Sequence, residues 1–180
     1  MNIGLSRNSF NIEPYIILNH QYEKGVDRLA DDEVEKSREK YKEFIGMKVK
    51  GGRYKVMQKK ITAYCEAVGH TDPRYVDESI EGGTVAPPEF AAVYAISGLT
   101  SLASVKGLIK NFNKLLHTGQ KYEYYEPVRP GDILTSGSEI VDVYEKNKML
   151  WIVLRCTFNN QDEKKATVAE FTAGIRAGGF

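Results

Sequence analysis

Thr84-Val-Ala-Pro-Pro-Glu-Phe-Ala-Ala-Val-Tyr-Ala-Ile-Ser-Gly98 is the stretch on which the fold turns. Pro88 suits a first helical turn, where its missing N–H has no intrahelical partner to lose. After it, Phe90, Ala91, Val93, Tyr94, Ala95 and Ile96 make the helix apolar nearly all round. A helix of that kind is buried on most sides. It therefore reads as the central helix of the domain, and the rest of the chain must supply a surface that wraps it.

That surface is legible downstream. Lys121–Glu126, Ile133–Tyr144, Met149–Phe158 and Thr167–Arg176 are rich in Val, Ile, Tyr, Thr and Phe. Turn signals separate the last three strands from what precedes them: Pro130-Gly-Asp132, Lys146-Asn-Lys148 and Asn159-Asn-Gln-Asp162. On the third strand Leu150, Ile152, Leu154, Cys156 and Phe158 alternate onto one face. Met149, Trp151 and Val153 give the other face an apolar start, so that strand is covered on one side and partly on the other. Upstream, Arg53–Met57 reads as a short strand after the Gly51-Gly52 turn. Gln58–Val68 reads as a helix, with Ile61, Cys65 and Val68 at i, i+4 and i+7 and Tyr64 alongside. Gly69 is a C′ residue that lets the chain reverse into a polar loop reaching Gly83. Ser97 to Asn113 is either more helix or an ordered loop. One strand, two helices and an antiparallel meander give an α+β class. A long curved sheet around one buried helix is the hot-dog arrangement.

The ends and the bulk numbers bound the rest. Residues 23–44 are helix-forming, with Val26, Leu29, Val34, Tyr41 and Phe44 as a narrow buried stripe. Residues 1–20, which include His20, form either an arm packed on the body or a partner, or a mobile tail. The expected division is 1–44 as N-terminal arm and helix and 45–180 as the hot-dog domain. A chain of 180 residues with 42% hydrophobic content suits one packed core. A net charge of +1 supplies no field for nucleic acid or an anionic membrane surface. Cys65 and Cys156 lack partners at metal spacing and read as buried reduced thiols, so no metal site is expected and the cytoplasm is the expected compartment. Arg7 precedes only the short apolar run Tyr15–Leu18, which is not a signal peptide, and no apolar run approaches the roughly 18 residues of a membrane span.

Three segments resemble the MaoC-like dehydratase N-terminal domain, also called the fatty-synthase-type-I-like dehydratase domain, in particular the A-type subunit of (R)-3-hydroxyacyl-thioester dehydratases. The first is Ile45-Gly-Met47 followed by a strand and the helix-turn Tyr64–Asp77. The second is Val85-Ala-Pro-Pro-Glu-Phe90. The third and most specific runs from Leu116-His-Thr-Gly-Gln120 to Pro127-Val-Arg-Pro-Gly-Asp132. The resemblance covers about residues 45–176. It implies a hot-dog fold, an acyl-CoA or acyl-carrier thioester as ligand, no cofactor, and pairing with a second hot-dog subunit as a homodimer or heterodimer.

Hydrating an enoyl thioester needs a base for water, an acid for the alpha carbon and a donor for the thioester oxygen. In the family the acid–base pair is an Asp and a His from the polar turn, which reads roughly Gly-Asp-x-Asn-Pro-x-His. Here His70 stands at the Asp position, Asp72 at the Asn position and Tyr75 at the His position. His70, Asp72, Tyr75 and Glu89 are thus the candidate acid–base groups. Against that stands a plainer account: Asp72 as an Asx-type turn former before Pro73, His70 as an exposed loop residue and Tyr75 as packing. The resemblance implies substrate binding by Ala86, Pro87 and Pro88 at the helix entry and by His117, Gly119 and Gln120 on the strand. Pro87 and Pro88 can only shape the turn, so donation falls to the Glu89 amide or its neighbours. His117 and Gln120 could instead hold the strand end, Tyr122, Tyr124 and Tyr125 read as sheet packing, and Arg129-Pro-Gly-Asp132 as a type II turn. The expected role is the acyl-thioester-binding, non-catalytic half of an (R)-specific enoyl hydratase. The alternatives are a self-sufficient homodimeric hydratase or thioesterase, and an acyl-CoA binding protein without catalysis.

Overall fold

The computed structural model describes residues 28–180, with side chains from Asp32 onward. The arm at 1–20 and the start of the helix expected from Glu23 lie outside the described residues. The elements are α1 (Arg28–Lys40), β1 (Lys48–Val49), β2 (Arg53–Lys55), α2 (Gln58–Val68), α3 (Pro73–Val76), α4 (Ala91–Thr100), β3 (Leu115–Tyr124), β4 (Ile133–Lys146), β5 (Met149–Asn159) and β6 (Lys165–Arg176). All strands pair antiparallel in one sheet of order β1-β4-β5-β6-β3, with β2 also on β4. This is the expected hot-dog arrangement, a sheet wrapped around α4.

The alternation on β5 sets the seat of the helix. Leu150, Ile152, Leu154, Cys156 and Phe158 are all buried, as are Ala169, Phe171 and Ala173 beside them on β6. α4 lays Ala91, Tyr94, Ala95, Gly98 and Leu99 onto that surface. Tyr94 stacks edge-on to Phe158 at 5.2 Å between centroids, and its hydroxyl meets Thr167 Oγ1 at 2.7 Å inside the core. Gly98 marks the closest approach: a Cβ there would lie 2.3 Å from Cys156 Sγ. Both cysteines are buried free thiols.

Several boundaries differ from the sequence expectation. α4 is entered at Pro88, as expected, but through a 3-10 turn over Pro88–Phe90. It is also less enclosed than an all-round apolar helix implies, because Ala92 and Ile96 remain exposed, Ile96 at 45%. One flank of the helix thus faces away from the sheet that this chain provides. On α2, Ile61 and Cys65 are buried but Val68 is 53% exposed, since the last turn projects past the core before Gly69 reverses the chain. The helix expected to reach Phe44 ends at Lys40, and turns through Gly46 (φ 83°) swing Tyr41 and Phe44 into the core. β3 begins at Leu115, one residue before the Leu116-His-Thr-Gly-Gln120 strand start that the resemblance implies and six before the Lys121 that composition alone gives, with a bulge between His117 and Gly119. The β4–β5 hairpin turns on Asn147 and Lys148, both at positive φ, as a two-residue loop requires when it must match the strand twist. Among the described residues no helix is long and apolar enough to cross a membrane.

Candidate functional site

The polar turn, the entry to α4 and the inner row of β3 meet at one end of the helix. Gly69, at φ 76° and ψ 24°, closes α2, with the His70 amide donating to Cys65 O at 2.9 Å. The chain then forms the one-turn helix α3, which the plain loop expected from the sequence does not contain. Asp72 is its N-cap and Pro73 its first residue. The Asp72 carboxylate accepts the Arg74 backbone N–H at 2.9 Å and the Arg74 guanidinium at 2.6–3.1 Å. Those bonds from the Arg74 side chain, then from its amide, hold the Asp72 carboxyl below the usual carboxylate range. An Asp so engaged makes a poor base.

His70 is turned the other way. Its Nε2 lies 3.6 Å from Glu89 Oε2, and its ring meets the edge of Tyr75 at 5.5 Å. Burial pushes the Tyr75 hydroxyl upward. His70 and Asp72 therefore do not form a dyad: each has its own partner. Of the four acid–base candidates, the structure brings His70, Tyr75 and Glu89 together and engages Asp72 with Arg74.

Glu89 sits in the 3-10 turn that leads into α4, 60% exposed at the side chain. Burial raises the Tyr64, Tyr75 and Tyr124 hydroxyls, and the Glu89 charge adds to that in each. Ala86 N–H donates to Val128 O at 2.8 Å, anchoring the approach. Pro87 is extended, and its carbonyl accepts the Phe90 N–H at 2.9 Å. The Pro88 carbonyl accepts the Tyr124 hydroxyl at 2.9 Å. The Glu89 N–H has no hydrogen-bond partner among the described residues, which leaves one amide at the helix entry for an acceptor oxygen.

On β3 the register with β6 places His117, Gln120, Tyr122 and Tyr124 opposite Ala173, Phe171, Ala169 and Thr167, on the core side of the strand. Tyr122 stacks on Tyr124 at 6.2 Å and stands edge-on to Phe171. Burial pushes the Tyr122 hydroxyl up to about 12. That hydroxyl donates to Gln120 Oε1 at 3.2 Å, while His117 Nε2 meets the Gly119 carbonyl at 3.1 Å across the bulge and its ring meets Phe171. Both His117 and Gln120 remain exposed. At Gly119 a Cβ would find Thr172 at an ordinary 3.6 Å, so the glycine is not there for want of room. Arg129 Nη1 donates to the carbonyls of Gly82 and Gly83, tying the loop before α4 to the Arg129–Asp132 turn.

The residues that sequence reasoning underrated are Arg74, Tyr64 and Tyr124. Arg74 was legible in principle, as an opposite charge two positions after Asp72. Tyr64 reaches Phe90 edge-on at 5.6 Å across the helix entry, a contact between separate elements that no local pattern encodes.

Comparison with known proteins agrees with this architecture. A UPF0336 protein of Streptomyces griseus is 33% identical over 108 residues, which are 50% of this chain and 71% of that protein. The 3R-hydroxyacyl-ACP dehydratase complex HadBC of Mycobacterium tuberculosis matches with a TM-score of 0.62 at 22% identity, over 73% of this chain and 96% of the other. A chain of the ChsH1–ChsH2 complex of Mycobacterium tuberculosis matches with a TM-score of 0.60 at 20% identity, over 81% and 97%. The fold is that of the MaoC-like (R)-hydratases. A family model described as "FAS1-like, dehydratase domain region" matches residues 43–169, which takes in the helix-turn, the α4 entry and β3 together, and the chain belongs to that family.

Proposed function

We propose that this chain is the acyl-thioester-binding, non-catalytic half of an (R)-specific enoyl hydratase or 3-hydroxyacyl dehydratase, completed by a second hot-dog subunit that supplies Asp and His. The observation that carries the proposal is the fate of Asp72. It caps α3 and is held by Arg74, so this carboxylate is not offered to His70 as a partner in acid–base work. Binding is assigned in this proposal to other parts of the site. The Glu89 amide is free at the helix entry, and the ligand's acyl portion would lie between the exposed flank of α4 at Ala92 and Ile96 and the β3 row His117, Gln120 and Tyr122. A partner subunit is supported by that open flank, and by the HadBC and ChsH1–ChsH2 complexes among the fold relatives. The proposed ligand is a CoA or carrier-protein thioester, and the proposed compartment the cytoplasm.

The test is hydration of crotonyl-CoA by the purified chain, alone and with a small hot-dog subunit carrying an intact Asp and His. Turnover only in the mixture is the expected result. Clear turnover by the chain alone would falsify the proposal.

The 3.6 Å approach of His70 to Glu89 favours one second reading, a self-sufficient homodimer in which that pair does the acid–base work. Under it, Glu89→Gln abolishes an activity that the lone chain already has. Under the first reading, Glu89→Gln leaves the lone chain as inactive as before.

A further inference from the structure

The family match begins at residue 43, so α1 and the residues before it lie outside that match. The face of the sheet turned away from α4 carries an apolar row of its own. The strand registers set Tyr144, Trp151, Gly174 and Leu116 directly opposite one another across β4, β5, β6 and β3. Tyr144 and Trp151 stack at 6.5 Å between centroids and 16° between planes, and Trp151 Nε1 donates to the Lys146 carbonyl at 3.1 Å. Gly174 keeps the floor low beside them: a Cβ there would lie 2.7 Å from Met149 Cε and 3.5 Å from Trp151 Cζ3. Leu116 is 40% exposed, and Tyr144, Met149, Trp151 and Val153 are half-buried. An apolar patch of this kind marks a surface that something else covers. The Arg38 guanidinium lies over the Tyr144 ring at 5.2 Å and closes the β4 end of the row. Beside it, Asp32, Val34 and Glu35 of α1 line a groove of about 410 Å³ with Tyr144 and Lys146. The N-terminal part of α1 therefore stands at the rim of the patch.

We propose that residues 10–18 of the same chain cover this patch. Their sequence, Phe10-Asn-Ile-Glu-Pro-Tyr-Ile-Ile-Leu18, is the most apolar stretch ahead of α1, with Glu13 as its only charge. Reach selects this occupant first. Arg28, where α1 begins, is ten residues on from Leu18, and extended chain covers up to about 33 Å over that length. The row from β4 to β3 spans three strand spacings, about 14 Å. Charge agrees with it. In the next row of the sheet Lys146 and Arg176 flank Met149, both exposed, so Glu13 meets cations where Ile16, Ile17 and Leu18 meet apolar surface. A segment tethered at the rim also outcompetes a free partner of equal fit, because the tether keeps its effective concentration high. This inference rests on neither acyl binding nor catalysis.

Trp151 is the chain's only tryptophan, so its fluorescence reads the patch directly. The test is acrylamide quenching of the full chain and of its Ile16→Asp, Ile17→Asp variant, with light scattering to give the mass of each. The expected result is a quenching constant about twofold or more above wild type at an unchanged mass, as the patch loses its cover. Ile3→Asp, Leu5→Asp, outside the run, should leave quenching at the wild-type level. Glu13→Arg sets like charges against Lys146 and Arg176 and should also raise quenching, and adding Lys146→Glu and Arg176→Glu should bring it back. These charge changes carry the same comparison if the aspartate variant loses its sheet signal in circular dichroism. Quenching left at the wild-type value by both Ile16→Asp, Ile17→Asp and Glu13→Arg would overturn the proposal, as would an equal rise from Ile3→Asp, Leu5→Asp. So would quenching that falls with rising protein concentration as the mass grows, which would assign the patch to a second copy.

Discussion

Adding one methyl group at Gly98 is expected to change sign according to what stands at position 156. In a helix interior Gly→Ala gains about 0.8–1.0 kcal/mol from backbone entropy. Here the new Cβ would lie 2.3 Å from Cys156 Sγ and 3.3 Å from its Cβ. Ordinary heavy-atom contact is at about 3.5–4.0 Å, so α4 and β5 must part by about an ångström or the thiol must leave its rotamer. Overpacking of this kind costs about 1–3 kcal/mol, and both elements are held by the rest of the core, which puts the net effect of Gly98→Ala at a loss of about 1–2 kcal/mol. Cys156→Ala alone removes the Sγ atom and its contact with Ser138 Oγ at 3.2 Å, and is expected to cost about 1–2 kcal/mol as a small cavity. In the double variant the 2.3 Å overlap is gone, the 3.3 Å approach to the residue-156 Cβ needs a shift of only a few tenths of an ångström, the methyl group takes up space the sulfur vacated and most of the helix gain returns. Gly98→Ala should then stabilise the Cys156→Ala protein by up to about 1 kcal/mol, with a coupling of about 2–3 kcal/mol between the sites. Urea unfolding of the four proteins, followed by circular dichroism, measures the cycle. Additive effects, or destabilisation by Gly98→Ala in both backgrounds, would refute the close helix–sheet approach as the reason for glycine.

Two further outcomes follow from the same core and turn. Tyr94→Phe should cost about 1–2 kcal/mol, because it removes the 2.7 Å bond to a fully buried Thr167 hydroxyl and leaves that group unpaired; the Tyr94→Phe, Thr167→Val double should recover part of the loss in the same unfolding assay. At the polar turn, Arg74→Ala should raise the Asp72 carboxyl toward its ordinary value, read by NMR titration. Since the folded state lowers that pKa, the turn's contribution is present above the unfolded value and is lost as pH falls through the folded one. A titration curve for Asp72 that Arg74→Ala leaves in place would contradict the pairing.

The strongly periodic parts of this fold were legible in the amino-acid sequence. The five alternating apolar residues of β5 and the Ala-Pro-Pro entry to α4 led directly to a sheet around a helix, and Asp72 before Pro73 announced a capped turn. Legibility failed where a residue's environment depends on a neighbour distant in the chain. Leu115–Gly119, with two leucines, two polar residues and a glycine, has no strand-like alternation and carries a bulge, so propensity alone placed the start of β3 too late. Ala92 and Ile96 look like core from their composition and are exposed because the sheet embraces only one side of the helix. His70 meets Glu89 only after α2 has ended, α3 has formed and the loop has returned to the α4 entry, a path that no local spacing encodes.

The bulge between His117 and Gly119 bears on recognition as well as on shape. An extra residue on one strand bends it and sharpens its local twist, so the outer rim of β3 is not a straight template. A strand laid along that rim would find its ladder in step over only part of the length. Its two ends would differ in phase, and sliding by two residues would not reproduce the fit. The bulge thus fixes the phase of the β3 rim by geometry before any side chain is compared.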